Sequence, residues 1–131
     1  DLTRQIGKNW NGHIHWSAKS LVTNRGGIST KLASTYTQPA AVPPMPWLSD
    51  NAPAAPGVSA SVQSGNTVVR WVPNGNTAKV AVQARNGGEW KTVRIASVGA
   101  GQATIPRADA IAVTALDRFG NASAPKVLGL Q

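Results

Sequence analysis

The sequence has 131 residues, enough for one compact domain with an attached segment, and an apolar content of 41% excludes a wholly disordered chain. No apolar run reaches the roughly 18 residues of a membrane-spanning helix, and the absence of cysteine excludes disulfides and thiol chemistry. Thirteen Lys and Arg against five Asp and Glu give a formal charge of +8, which keeps an anionic partner in view.

The chain opens on Asp1 with no basic stretch leading into an apolar run, so it reads as an excised piece of a longer protein. Gly12 to Ser17 (GHIHWS) has the look of one short strand, whereas SLVTN and GGISTKLASTY look helical. Ile28, Leu32 and Tyr36 recur at i, i+4 and i+8, one face of a helix from about Gly27 to Thr35 that Gln38-Pro39 would end. One strand and one or two helices cannot bury their own apolar faces. Residues 1–36 are therefore expected to be partly helical or disordered, lacking the surface they would pack on.

Composition changes at residue 37. Residues 37–57 hold six of the nine prolines, and proline fixes its torsion, removes a donor and biases its predecessor toward extended backbone. A Pro-rich linker with polyproline II character is expected. Its Val42, Met45, Trp47 and Leu48 are more apolar than a solvated tether needs, so it should lie against a surface.

From residue 58 to 131, short Val-, Ile-, Thr- and Trp-rich segments alternate with turn clusters, the spacing of an all-β sandwich. Seven strands are expected: Val58 to Gln63, Thr67 to Val72, Lys79 to Arg85, Glu89 to Ser97, Gln102 to Pro106, Ala110 to Asp117 and Ser123 to Leu130. Alternation directs Val69, Trp71, Val80, Val82, Ile111, Val113 and Ala115 inward, and Arg70, Lys79, Gln83 and Arg85 outward.

Little here supports chemistry. His13 and His15 share one strand face, a spacing two-ligand metal sites use, but no cysteine exists and no acid lies within ten residues; neither a metal nor another cofactor is expected. There is no GxSxG elbow and no phosphate-cradling loop. Glycoside hydrolysis needs two carboxyls about 5 to 10 Å apart, and the five acids are scattered, with Asp109 and Asp117 at opposite ends of one strand. Asp117, close to Gly120 and Asn121, reads as a turn residue. The cations never adjoin one another, which argues for solvated faces over a nucleic-acid stripe. Trp90, in EWKTVR, is either a core or interface side chain or an indole face on which a sugar ring can stack.

The segments TVVRWVPNGNTAKVAVQAR, EW and AIAVTALDRFGNASAP resemble a fibronectin type III module over about Pro56 to Leu128. In that likeness Trp71 is the core tryptophan of the second strand and Asp117 to Asn121 the turn before the last. Ile111 stands where that family commonly has a tyrosine.

The first half is similar to the end of the barrel in the bacterial glycosyl-hydrolase-like family in which a (β/α)8 barrel precedes a fibronectin-like domain. The matching pieces are Gly12 to Ser17, the helix ending in Ala33-Ser34-Thr35-Tyr36, and Pro39 to Pro43 with Pro46-Trp47-Leu48. This resemblance implies that residues 1–36 are the tail of a truncated barrel, with Gly12 to Ser17 its last strand. It places the catalytic carboxylates on earlier strands, so no catalytic residue is carried over. It implies that His15 or Trp16 could touch sugar at the barrel mouth, and that the parent protein works in the periplasm, at the cell surface or in secreted form.

The fold class expected is mainly β: a fibronectin type III-like, immunoglobulin-like sandwich of about seven strands, preceded by the barrel-tail segment and the Pro-rich linker. The function expected is a noncatalytic accessory domain of a glycoside hydrolase, a hydrolase with carbohydrate substrates, with a structural, docking or spacer role and the parent's own catalytic barrel as its partner. Alternatives are a weak carbohydrate-binding module, contacting polysaccharide through Trp90, and a basic adhesion or nucleic-acid module.

Overall fold

The computed structural model describes residues 17–130. His13, His15, Trp16 and most of the expected strand Gly12 to Ser17 lie outside the described residues. Two compact units divide after Thr37.

In the first unit, α1 (Ala18–Val22) and α2 (Ile28–Thr35) flank a 3-10 turn at Arg25–Gly27. Asn24 makes the corner. Its backbone takes a left-handed φ of +49°, which Asn tolerates well. Its side-chain carbonyl accepts from the N–H groups of Ser29 (2.9 Å) and Thr30 (3.3 Å), capping donors that the start of α2 leaves unpaired. Of the helical face read from the sequence, Ile28 and Leu32 are half-buried, whereas Tyr36, at the C-terminal end of α2, is 46% exposed.

The second unit, residues 38–131, contains seven strands: β1 (Gly57–Gln63), β2 (Asn66–Val72), β3 (Lys79–Asn86), β4 (Glu89–Ser97), β5 (Gln102–Pro106), β6 (Ala110–Leu116) and β7 (Lys126–Gly129). Two hairpins begin it. Ser64-Gly65 (φ +48° and +79°) joins β1 to β2 and Gly87-Gly88 (φ +60° and +91°) joins β3 to β4. Positive φ at both loop residues marks the turn whose twist matches the strands it connects. The chain builds one antiparallel sheet in the order β1-β2-β5 and a second in the order β4-β3-β6-β7. This is the strand order of a fibronectin type III-like sandwich.

Between the sheets, Val69 and Trp71 of β2 meet Val80 and Val82 of β3 and Ile111 and Val113 of β6, with Ile105 of β5 closing the layer. Ile111, in the place of the family's tyrosine, is fully buried. The register confirms the alternation: Val80 pairs with Ala115, Val82 with Val113 and Ala84 with Ile111, all facing inward. The intervening pairs face outward, and here β6 departs from simple amphipathicity. Ala110, Ala112 and Leu116 are buried too, because small side chains sit low between Arg85 and Gln83 on one side and Gly129 and Val127 on the other. A strand apolar on both faces belongs in the middle of a covered sheet.

The last strand starts later than the alternation predicts, at Lys126 rather than Ser123. Ser123 instead folds onto β6, its N–H donating to the Ala115 carbonyl (2.9 Å) while its hydroxyl accepts from Ala115 N–H (3.0 Å). Pro125 has no N–H to give a ladder.

Trp71 is 4% exposed, its indole N–H donates to the Val98 carbonyl (3.3 Å), and its ring spans the space between the sheets. Trp71→Ala is expected to cost about 3 to 5 kcal/mol, leaving the sandwich barely folded. A melting temperature equal to wild type by circular dichroism would contradict the core described.

Candidate functional site

The Pro-rich segment carries no regular element, yet it is held to the sandwich along its length. Gln38 accepts through its side-chain carbonyl from the Thr92 N–H of edge strand β4 (3.2 Å). Met45 donates its N–H to the Phe119 carbonyl (2.9 Å), and its own carbonyl accepts from Leu48 N–H (3.0 Å), making a turn. Three asparagines then take up carbonyls: Asn121 that of Ser49 (2.8 Å), Asn76 that of Asn51 (3.3 Å) and Asn74 that of Ala55 (2.8 Å). Proline stretches cannot pair as strands, so side-chain amides replace the missing ladder. Pro53 and Pro56 are buried. The segment is a strap. Ala41, Val42 and Met45 of the strap line one groove with Ile95 and Leu116 of the sheet's outer face.

The strap meets its counterpart at the β6–β7 turn. One Asp117 carboxylate oxygen accepts from the N–H groups of Phe119 and Asn121 (both 2.8 Å), and the other from the Asn121 side chain (2.9 Å). Burial alone raises the Asp117 pKa, but the Asn121 side chain and the N–H groups of Asn121, Phe119 and Gly120 outweigh it and hold the carboxyl below its ordinary value. Gly120 (φ +84°) lies so close beneath the strap that a Cβ would stand 2.7 Å from the Pro43 carbonyl oxygen and 2.8 Å from that of Val42. Glycine is required there on both counts.

Three of the four acids among the described residues make local contacts. Glu89 pairs with Lys91 at 3.2 Å, and the Asp109 carboxylate accepts from Gly87 N–H (3.1 Å). Among the described residues no three His, Cys, Asp or Glu side chains gather as a metal site would require.

Of the residues singled out for sugar, His15 and Trp16 lie outside the described residues. Trp90 stands on the outer face of β4, 38% exposed. Its cross-strand partner is Arg85, whose guanidinium carbon lies 5.4 Å from the indole centroid, within cation–π range. Gln83 and Thr92 form the next pair on the same face. Arg85 was legible in principle: a two-residue loop at Gly87-Gly88 sets residue 85 opposite residue 90. The strap's asparagine partners were not, since nothing local marks which distant carbonyl an amide will take.

No family model matches the chain. Over 56 residues, 42% of its length, it is 39% identical to the glycosyl hydrolase YngK of Bacillus subtilis strain 168. The match spans only 11% of that protein. Among solved structures, the chain is similar to the spore cortex lytic enzyme SleM of Clostridium perfringens (TM-score 0.44, 16% identity, 60% of this chain and 28% of that one). It is similar as well to a fibronectin type III-like protein from Clostridium thermocellum (0.46, 20% identity, 62% and 99%) and to a fibronectin type III domain of human collagen XX (0.46, 20% identity, 70% and 100%). The chain thus contains a fibronectin type III-like sandwich, defined by its strand order, and over 56 residues is similar in sequence to a bacterial glycosyl hydrolase.

Two substitutions test the strap's anchor. Asp117→Asn sets a side-chain N–H₂ against that of Asn121 and should lower stability at neutral pH. Because the folded-state pKa is depressed, the carboxylate's contribution is complete above the ordinary carboxylate range and is lost as pH falls through the folded value. The gap in melting temperature between wild type and Asp117→Asn should therefore be widest near neutrality and narrow in acid; a pH-independent gap would deny the carboxylate its role. Gly120→Ala should cost at least about 1 to 2 kcal/mol from the positive φ alone. It should also speed amide exchange at Met45 and Leu48 more than at Val82, and uniform exchange would show that the strap does not depend on this approach.

Proposed function

We propose that the chain is the noncatalytic C-terminal accessory region of a glycoside hydrolase, with the sandwich docked on the catalytic domain as a fixed structural neighbour. The strap carries this reading. A spacer whose task is reach stays solvated and loose, whereas residues 38–57 are hydrogen-bonded to β4, to the β2–β3 loop and to the β6–β7 turn. With its backbone tied down, the strap still presents Trp47 (76% exposed), Val42 (59%) and Leu48 (57%). Exposed apolar side chains on an ordered backbone suit an interface better than a tether.

The sequence similarity to a glycosyl hydrolase supports the identity of the neighbour. The structural employment of Glu89, Asp109 and Asp117 supports a noncatalytic part. In this reading the parent acts on glycans in the periplasm, at the cell surface or outside the cell.

Deleting residues 38–131 from the longer protein should lower the melting temperature of the remaining catalytic domain by several degrees, and the 131-residue chain alone should turn over no aryl glycoside or polysaccharide. Unchanged melting of the truncated protein would overturn docking. Turnover by the purified chain that disappears in Glu89→Gln would overturn the noncatalytic assignment.

A further inference from the structure

We propose that the outer face of the β3–β4 hairpin, built on Trp90 and Arg85, is a binding site for a sugar ring carrying a carboxylate. This stands apart from docking and does not rest on it. The hairpin loop Gly87-Gly88 fixes the register that sets Arg85 opposite Trp90, and the guanidinium at 5.4 Å holds the indole's orientation while 38% of the residue stays in solvent. With Arg85 over the ring, the exposed remainder of the indole offers an apolar surface to the C–H face of a pyranose at little cost in side-chain freedom.

Arg85 supplies the second element. Its neighbouring acids are taken, Glu89 by Lys91 and the Asp109 carboxylate by Gly87 N–H. Among the described residues Arg85 has no ion pair, so its fork of donors is open to a planar carboxylate, the geometry it fits best. Gln83 and Thr92, the adjacent pair on the same face, add an amide and a hydroxyl.

The same face suits a nucleic acid poorly. A phosphate chain calls for a stripe of cations and several stacking platforms. Here Glu89 sits beside the indole and pairs with Lys91, Lys79 stands at the far end of β3 from Arg85, and Arg70 lies on the other sheet. A cross-strand Arg–Trp pair also stabilises a hairpin without any ligand, and the test must separate that role from binding.

The 131-residue chain should be titrated calorimetrically with hexagalacturonate, with glycan strands bearing the muramic acid carboxylate, with neutral xylohexaose, with polyglutamate and with single-stranded DNA. At least one carboxylated glycan should bind about tenfold or more tighter than xylohexaose and polyglutamate, and which of the two does so names the source. Trp90→Ala should weaken that binding at least about tenfold, Trp90→Phe should retain most of it, and Arg85→Ala should erase the preference for the carboxylated sugar over the neutral one. Arg70→Ala, on the other sheet, should change nothing. Each variant is scored only against its own circular dichroism and melting curve, and Trp90→Phe keeps the test open if the alanine variant fails to fold. Any of four results overturns the proposal: no glycan binding at millimolar concentration, equal affinity for polyglutamate, indifference to both Trp90 and Arg85, or tighter binding of DNA that is lost with Trp90.

Discussion

Strand β6 is apolar on both faces, and that constraint organises the second unit. One face, Ile111 and Val113 with Ala115, forms the sandwich core with β2 and β3. The other carries Ala110, Ala112 and Leu116, which water does not suit. A two-layer sandwich covers only inner faces. The strap runs beside that face, where its Ala41, Val42 and Met45 line a groove with Leu116 and Ile95.

A proline-rich strap has to be held without a ladder, and this explains the polar detail around it. The carbonyl of half-buried Ser49 would lose water on packing, and buried acceptors left unpaired are costly, whereas those of Asn51 and Ala55 are bonded at the exposed surface. Asparagine is the side chain short enough to reach them from a turn, and Asn121, Asn76 and Asn74 do so. Asn121 itself is held by Asp117, whose depressed pKa reports how many donors converge on one carboxylate. Charge in this unit is used to fix a turn, and the turn fixes the strap.

The strands were legible because each is bounded by residues with one conformational use. Gly87-Gly88 and Ser64-Gly65 mark hairpins, and period-2 alternation in TVVRWV and KVAVQAR separates inner from outer faces without tertiary knowledge. The start of β7 was not legible, because Ser123 exchanges a strand position for hydrogen bonds to Ala115 that alternation does not encode. The outer burial of Ala110 and Ala112 was also missed, since alanine at an outward position is compatible with either exposure or cover. As for the candidate site, Trp90's type and its place in a hairpin pointed to a platform, whereas its degree of exposure and the stacking of Arg85 depend on where the rest of the sheet ends.

The two roles argued for this unit share one edge. Gln38 begins the strap by accepting from Thr92 N–H, and Thr92 is two residues along β4 from Trp90, about 7 Å at the rise of a strand. Farther along β4, beyond its bulge, Ile95 lines the groove beside the strap, four register positions from Trp90 and about 13 Å away at the rise of a strand. The part of the outer face beside the strap and the face that carries Trp90 therefore occupy different stretches of one strand.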